Sequence, residues 1–155
     1  MFDSLLRHQQ VNKSTMKILL HPDPTLSKIS HPIEEINDGT IELINNMFIT
    51  MNEAGGIGLS AIQVGVDKQL FIMSINGASY IFINPVITWR SPETQTINEG
   101  CLSLPGTFVD MTRSAKIIVN AFGVDGKIFE VEATGLHAAC IQHEMDHLSG
   151  KTLLS

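Results

Sequence analysis

His143-Glu144-Met145-Asp146-His147 is the segment whose residue types and spacing point most directly to chemistry. Two His four apart on a helix lie one above the other, so both imidazoles can reach one metal ion. Glu144 follows the first His on nearly the same face. It can take a proton from a metal-bound water without being a ligand itself. Both His share an apolar stripe with Leu136, Ala139, Cys140 and Leu148. Two unpartnered imidazoles on such a stripe would be costly, and a metal would satisfy them. A third protein ligand is then needed, and the chain offers two thiols. Cys140 lies one turn before His143 on the same helix. Cys101 sits in Glu99-Gly100-Cys101-Leu102-Ser103, a turn-like segment among predicted strands. Three ligands along two turns of one helix converge poorly, because the outer pair is about 10 Å apart along the axis. A thiol on a separate loop meets the two His better. That favours Cys101 as ligand and leaves Cys140 as a pocket or core thiol.

The elements that position these residues follow from periodicity. Leu136 to Leu148 reads as a helix, with Gly150 as its C-terminal stop. Ile41, Ile44, Phe48 and Met51 recur at spacings of three and four. They predict a helix capped by Asn37-Asp38-Gly39 that ends near Gly55-Gly56. LFIMSI, YIFINP, PVITW and AKIIVNAF are short and rich in branched or aromatic residues, and read as strands. Asp125-Gly126 predicts a hairpin into KIFEVEA. His21 to Lys28 is punctuated by Pro and predicted extended. The expected fold is α+β: antiparallel strands packed around a C-terminal metal-binding helix, with an N-terminal helix. Residues 1–15 are polar and aperiodic and are expected to form a loose extension. Residues 16–155 are expected to form one catalytic domain.

Gly56 to Gln63 is Gly-rich but fails as a dinucleotide fingerprint. A helical pattern precedes it rather than a strand, and Ala61 replaces the third Gly. It reads as a tight loop whose backbone can pass close to a ligand. The 155 residues are 43% hydrophobic and 17% charged, with a net charge of −6, which excludes a disordered chain and shows no basic stripe for nucleic acid. The most apolar stretch, Leu70 to Thr88, is cut by Ser74, Asn76, Gly77, Ser79, Asn84 and Pro85, so no spanning helix is expected. The first 15 residues hold no apolar run long enough for a signal peptide. No nucleic-acid or membrane partner is expected, and the expected location is the bacterial cytoplasm, a phage-encoded form included.

GIGLSAIQVG, EGCLSLPG and QHEMDHLSG, in this order and at these separations, resemble the three signature segments of the peptide deformylases. The likeness runs from about Met16 to Lys151. It implies a metal-dependent hydrolase that removes the formyl group from the N-terminal formyl-methionine of newly made polypeptides. It implies one divalent ion, Fe²⁺ in the cell with Zn²⁺, Ni²⁺ or Co²⁺ as alternatives, held by Cys101, His143 and His147 with water in the fourth position. Glu144 is then the general base. Gln63 and the backbone N–H of Leu102 are donors to the formyl oxygen, and Gly58 offers backbone contact near the substrate. Ile57, Glu99, Leu136, Ala139 and Cys140 fall where the family lines the methionine pocket. The partners implied are formyl-methionyl nascent peptides. Phe108 stands where many bacterial members carry an Arg, so peptide contacts that depend on that Arg are not expected. The C-terminal tail that helps many members dock on the ribosome is missing after Ser155, which makes ribosome docking doubtful.

Overall fold

The structure is a computed structural model and describes residues 15–155. Helix α1 spans Asp38–Glu53. It begins at Asn37, whose side chain accepts from the Thr40 N–H at 3.1 Å while Thr40 Oγ1 accepts from the Asn37 N–H at 3.3 Å. This reciprocal cap satisfies two donors at the helix start, as the Asn37 signal predicted. Its buried residues include Ile44, Met47 and Met51.

Five antiparallel strands form the main sheet in the order β1-β2-β3-β6-β7: β1 Gly58–Ser60, β2 Leu70–Ile75, β3 Ala78–Arg90, β6 Lys116–Phe122 and β7 Ile128–Thr134. β4 Thr94–Cys101 and β5 Leu104–Ser114 pair separately. Helix α2, Gly135–Leu148, follows β7. The α+β architecture is therefore as expected.

Both faces of β2 are covered, which is why LFIMSI has almost no polar residue. Met73 joins Phe82, Val119, Ala133 and the α2 residues Ala138 and Ile141 in one core. Its neighbour Ile72 joins Ile83 and the α1 residues Ile44, Met47 and Met51 in the other. α2 is thus held on one face of the sheet and α1 on the other. Asp125-Gly126 does join β6 to β7, with Gly126 at φ 76°.

Several local expectations are corrected. YIFINP and PVITW are one strand, β3, whose register shifts between Ile83 and Val86. Asn84 sits there at φ 50°, and its side chain bonds both the N–H and the C=O of Ile33 at 2.8 Å. The register shift accommodates Pro85 inside a strand, because a bulge asks no ladder hydrogen bond of its missing N–H. Within the predicted extended stretch, Pro24–Ser27 is a short 3₁₀ helix capped by Asp23, which accepts from Thr25 N–H at 2.9 Å. The Gly-rich loop contains β1 and a 3₁₀ turn, Ala61–Val64. The expected extension, 1–15, lies outside the described residues apart from Thr15, whose Oγ1 donates to Glu53 Oε2 at 2.8 Å. Among the described residues no helix is long and apolar enough to cross a membrane.

Candidate metal centre and its cavity

The metal-ligating atoms of Cys101, His143 and His147 all lie within 4.8 Å of one another. α2 contributes the two His, whose Nε2 atoms are 3.3 Å apart. The end of β4 contributes Cys101, with Sγ 3.4 Å from His147 Nε2. Two nitrogens bound tetrahedrally at 2.0–2.1 Å would be about 3.3 Å apart, so this spacing fits one ion. The turn reading of Cys101 is right in effect: β4 ends there and the chain reverses through Leu102-Ser103 into β5. Cys140 is buried and lies outside the triad. Burial, then the nearby carboxylates of Glu144 and Glu99, push its thiol well above the usual value.

His143 is oriented by a chain of charges. Its Nδ1 lies 3.0 Å from Glu99 Oε1. Arg113 donates to both Glu99 oxygens, at 2.8 and 3.0 Å, and to Asp146 Oδ2 at 2.8 Å. Burial opposes ionisation of Glu99, yet the hydrogen bonds from His143 and Arg113 outweigh it and hold the carboxyl below its ordinary value. Burial likewise opposes the His143 imidazolium, but hydrogen bonds to Cys101 and Glu99 raise its pKa to about 10. His147 goes the other way, to about 3, through burial first and then repulsion from His143 and Arg113. Its Nδ1 is buried without a partner. The Nδ1 of His143 is held on Glu99 and both rings turn Nε2 toward Cys101, the orientation that an ion requires; binding one would take the Nε2 proton from His143 and leave both imidazoles neutral.

Glu144 is 3% exposed and accepts from Ser60 Oγ at 2.7 Å. Burial raises its pKa above the usual carboxylate value, partly offset by the charge of His143 and the Ser60 hydrogen bond. A raised carboxyl suits a group that must both accept and return a proton near neutrality. β1 runs past it at Gly58. A Cβ there would stand 2.6 Å from Glu144 Oε2 and 3.0 Å from Cys140 Sγ, so only Gly lets β1 come this close. Gln63 is buried in the 3₁₀ turn, and its Oε1 accepts from Ser60 N–H at 2.9 Å. That fixes the carboxamide so that Nε2 points to Ser103 Oγ, 3.1 Å away, and to Cys101 Sγ at 3.5 Å.

These groups open on one cavity of about 470 Å³. Ile57, Gly58, Gln63, Glu99, Cys101, Leu102, Leu136, Ala139, Cys140, His143 and Glu144 all line it, while His147 sits behind as the deeper imidazole. Glu99, expected in the methionine pocket, does border the cavity, but its carboxylate is committed to Arg113 and His143. Arg113, Asp146, Ser60 and Ser103 were missed. Asp146 had a signal, because it falls on the same face as His143 at a spacing of three. Arg113 had none: its partner Glu99 is on the other strand of a hairpin that the pattern did not reveal.

A family model for polypeptide deformylase matches residues 15–155. The chain belongs to this family. It is 45% identical over 139 residues to a peptide deformylase of Acinetobacter baumannii, covering 88% of this chain and 79% of that protein. It is 43% identical to one from Pseudomonas aeruginosa, covering 88% and 83%. Among solved structures, the peptide deformylase of Thermotoga maritima superposes with a TM-score of 0.89 at 36% identity, covering 90% of this chain and 95% of that one. That of Ehrlichia chaffeensis gives 0.89 at 35%, covering 90% and 86%. The chain is a hydrolase that removes the formyl group from N-terminal formyl-methionine. The cluster of Cys101, His143 and His147 is consistent with a metal-dependent deformylase.

Proposed function

We propose that Cys101, His143 and His147 hold the catalytic ion and that the residues beside them divide the work of deformylation. The observation that carries this is the convergence of three ligand atoms next to a buried carboxylate, at the inner end of one cavity. A divalent ion held there supplies a Lewis acid and water acidic enough to react at neutral pH. Glu144 takes the proton from the attacking water and returns it to the leaving amine, for which its burial and raised pKa suit it. The Gln63 carboxamide, fixed by Ser60, and the Leu102 backbone N–H donate to the formyl oxygen as charge develops on it. Gly58 brings backbone against the substrate. Ile57, Leu136, Ala139 and Cys140 line the pocket for the methionine side chain, and Glu99 acts there mainly by holding His143.

Two neutral imidazoles and one thiolate leave the ion a net charge of about +1 and accept Fe²⁺ or Zn²⁺. Fe²⁺ is the ion proposed in the cell. The substrate is a nascent chain, so the bacterial cytoplasm is the proposed location. Residues 16–155 are proposed as the catalytic domain, which the family match from residue 15 supports.

The test is formate release from formyl-Met-Ala-Ser by protein purified without oxygen, together with metal analysis. One ion per chain and rapid turnover are expected. Cys101→Ala should lose both the ion and the activity, while Cys140→Ala keeps them. Full metal content in Cys101→Ala with an empty Cys140→Ala would refute the ligand assignment.

A further inference from the structure

Ser60 is the last residue of β1 and is fully buried. It does not line the cavity, so it has no contact with substrate. It nevertheless meets both side chains that the proposed chemistry uses beside the ion. Its N–H donates to Gln63 Oε1 at 2.9 Å, and its Oγ donates to Glu144 Oε1 at 2.7 Å. The Glu144 carbonyl oxygen is a second acceptor for the same hydroxyl, but at 3.3 Å. A serine has one hydroxyl proton, and the shorter, charge-assisted contact takes it. The donor is itself fixed, because Ser60 pairs with Phe71 in the β1–β2 ladder.

The two oxygens of Glu144 are therefore not equivalent. Oε1 is held by Ser60. Oε2 accepts from no protein group among the described residues. It lies against the bare backbone of Gly58, where an added Cβ would stand 2.6 Å away, and Gly58 and Glu144 both border the cavity. The terminal torsion of a glutamate is broad and roughly two-fold, so its own rotamers do not choose which oxygen faces the substrate.

We propose that Ser60 is a positioning residue for the base: its hydroxyl ties down Oε1, so that Oε2 alone carries the proton between the attacking water and the leaving amine. The proposal rests on the reading of Glu144 as the general base of a deformylase. An O–H bond of the water breaks, its proton goes to Oε2, and its oxygen bonds the formyl carbon. When the C–N bond breaks, its electron pair stays on nitrogen and the same proton passes from Oε2 to that nitrogen. One oxygen must face two partners in turn, and a carboxylate that rocks about its last torsion would miss one of them. Through its N–H the same residue holds the Gln63 carboxamide, so base and oxyanion donor share one frame.

Ser60→Ala removes the hydroxyl arm and leaves the N–H arm to Gln63 in place. With formyl-Met-Ala-Ser, kcat should fall roughly tenfold, short of the ~10²-fold that a 1 Å misplacement can cost. KM and ion content should stay within about twofold of the parent. Two double variants separate positioning from packing. In a Glu144→Gln background no carboxylate is left to steer, and adding Ser60→Ala should change the residual turnover by less than about twofold. In a Gln63→Ala background it should cost the same factor as in the parent, because the lost hydroxyl does not touch Gln63. A Ser60→Ala enzyme with the kcat of the parent would overturn the proposal. So would a loss that persists in full beside Glu144→Gln or disappears beside Gln63→Ala, since Ser60 would then act through packing or through the oxyanion donor. A parent that holds its ion and releases no formate would instead overturn the reading of the centre on which the proposal stands.

Discussion

The two ends of the cavity are built on opposite principles. At the inner end Gln63, Glu99, His143, Glu144 and His147 are all buried, and hydrogen bonds fix the side chains of Gln63, Glu99, His143 and Glu144. At the outer end Ile57 is 44% exposed, Leu136 48% and Phe108 67%. Groups that act on developing charge gain most when they are already oriented and shielded from water. Groups that receive a varied peptide gain from shape and apolar area, which tolerate movement. Mutations at the inner end should therefore change kcat by orders of magnitude. Those at the outer end should change KM by small factors.

Glu144→Gln gives the sharpest break. The amide keeps the shape and can still bond Ser60, but it cannot accept the proton from water. Turnover should fall by roughly 10²–10⁴-fold with metal content and fold unchanged. Metal analysis beside formate release checks this, and loss of the ion would make the carboxylate structural. Gln63→Ala comes next. Removing one preorganised donor to an oxyanion should lower kcat by roughly 10²–10³-fold. Gln63→Glu should be worse, since a carboxylate repels the oxyanion. Turnover by Gln63→Ala within about threefold of the parent, well short of that loss, would remove Gln63 from the chemistry.

Glu99 tests whether orientation is itself part of the inner end. Glu99→Gln weakens the hold on His143 and leaves Asp146 as the only charge paired with Arg113. Metal affinity or activity should fall by roughly 10–100-fold, as for other outer partners of metal-bound His. The pH dependence has a definite sign. The folded-state pKa of Glu99 is depressed below 4.5, so the stability it contributes is complete above pH 4.5. It is lost as pH falls through the lower folded value. The melting temperature of the parent should exceed that of the variant above pH 4.5, and the gap should close on acidification. A gap that persists at low pH would assign the difference to packing instead of charge.

The same contrast explains what was legible in the residues. α2 announced itself because helix period, metal spacing and the Gly150 stop all fall in one stretch of chain. Cys101 could be chosen over Cys140 because three ligands on two turns of one helix converge poorly. β4 and β5 were not seen. Thr94–Cys101 alternates exposed and half-buried positions, only Glu99 is buried, and most of its side chains are polar, so no apolar period marks it. With the hairpin unseen, Arg113 had no visible partner, and Glu99 read as a pocket residue alone. The order in space of a polar two-stranded sheet is set by its register, which adjacent residues do not display.

Cys140 lies where the two ends meet and gives the smallest effect. Its thiol touches the space that Gly58 leaves open and lines the cavity beside Ala139. It lies outside the cluster of Cys101, His143 and His147, and burial pushes its thiol well up, so the inner-end chemistry proposed above does not need it. It is also buried, so deleting the sulfur removes packing at the base of the proposed methionine pocket. Cys140→Ala should keep one ion per chain and a kcat within about twofold, since no charge-handling group is lost. KM for formyl-Met-Ala-Ser should rise by roughly fourfold, the factor for the loss of about one buried methylene's worth of apolar contact. Stability should drop by about 1 kcal/mol, as for other small deletions in a core. A kcat loss near that of Gln63→Ala would move the boundary outward and place Cys140 among the preorganised groups. A KM unchanged for methionine peptides would show that the pocket closes over the missing atom, and that even its buried floor behaves like the soft outer wall.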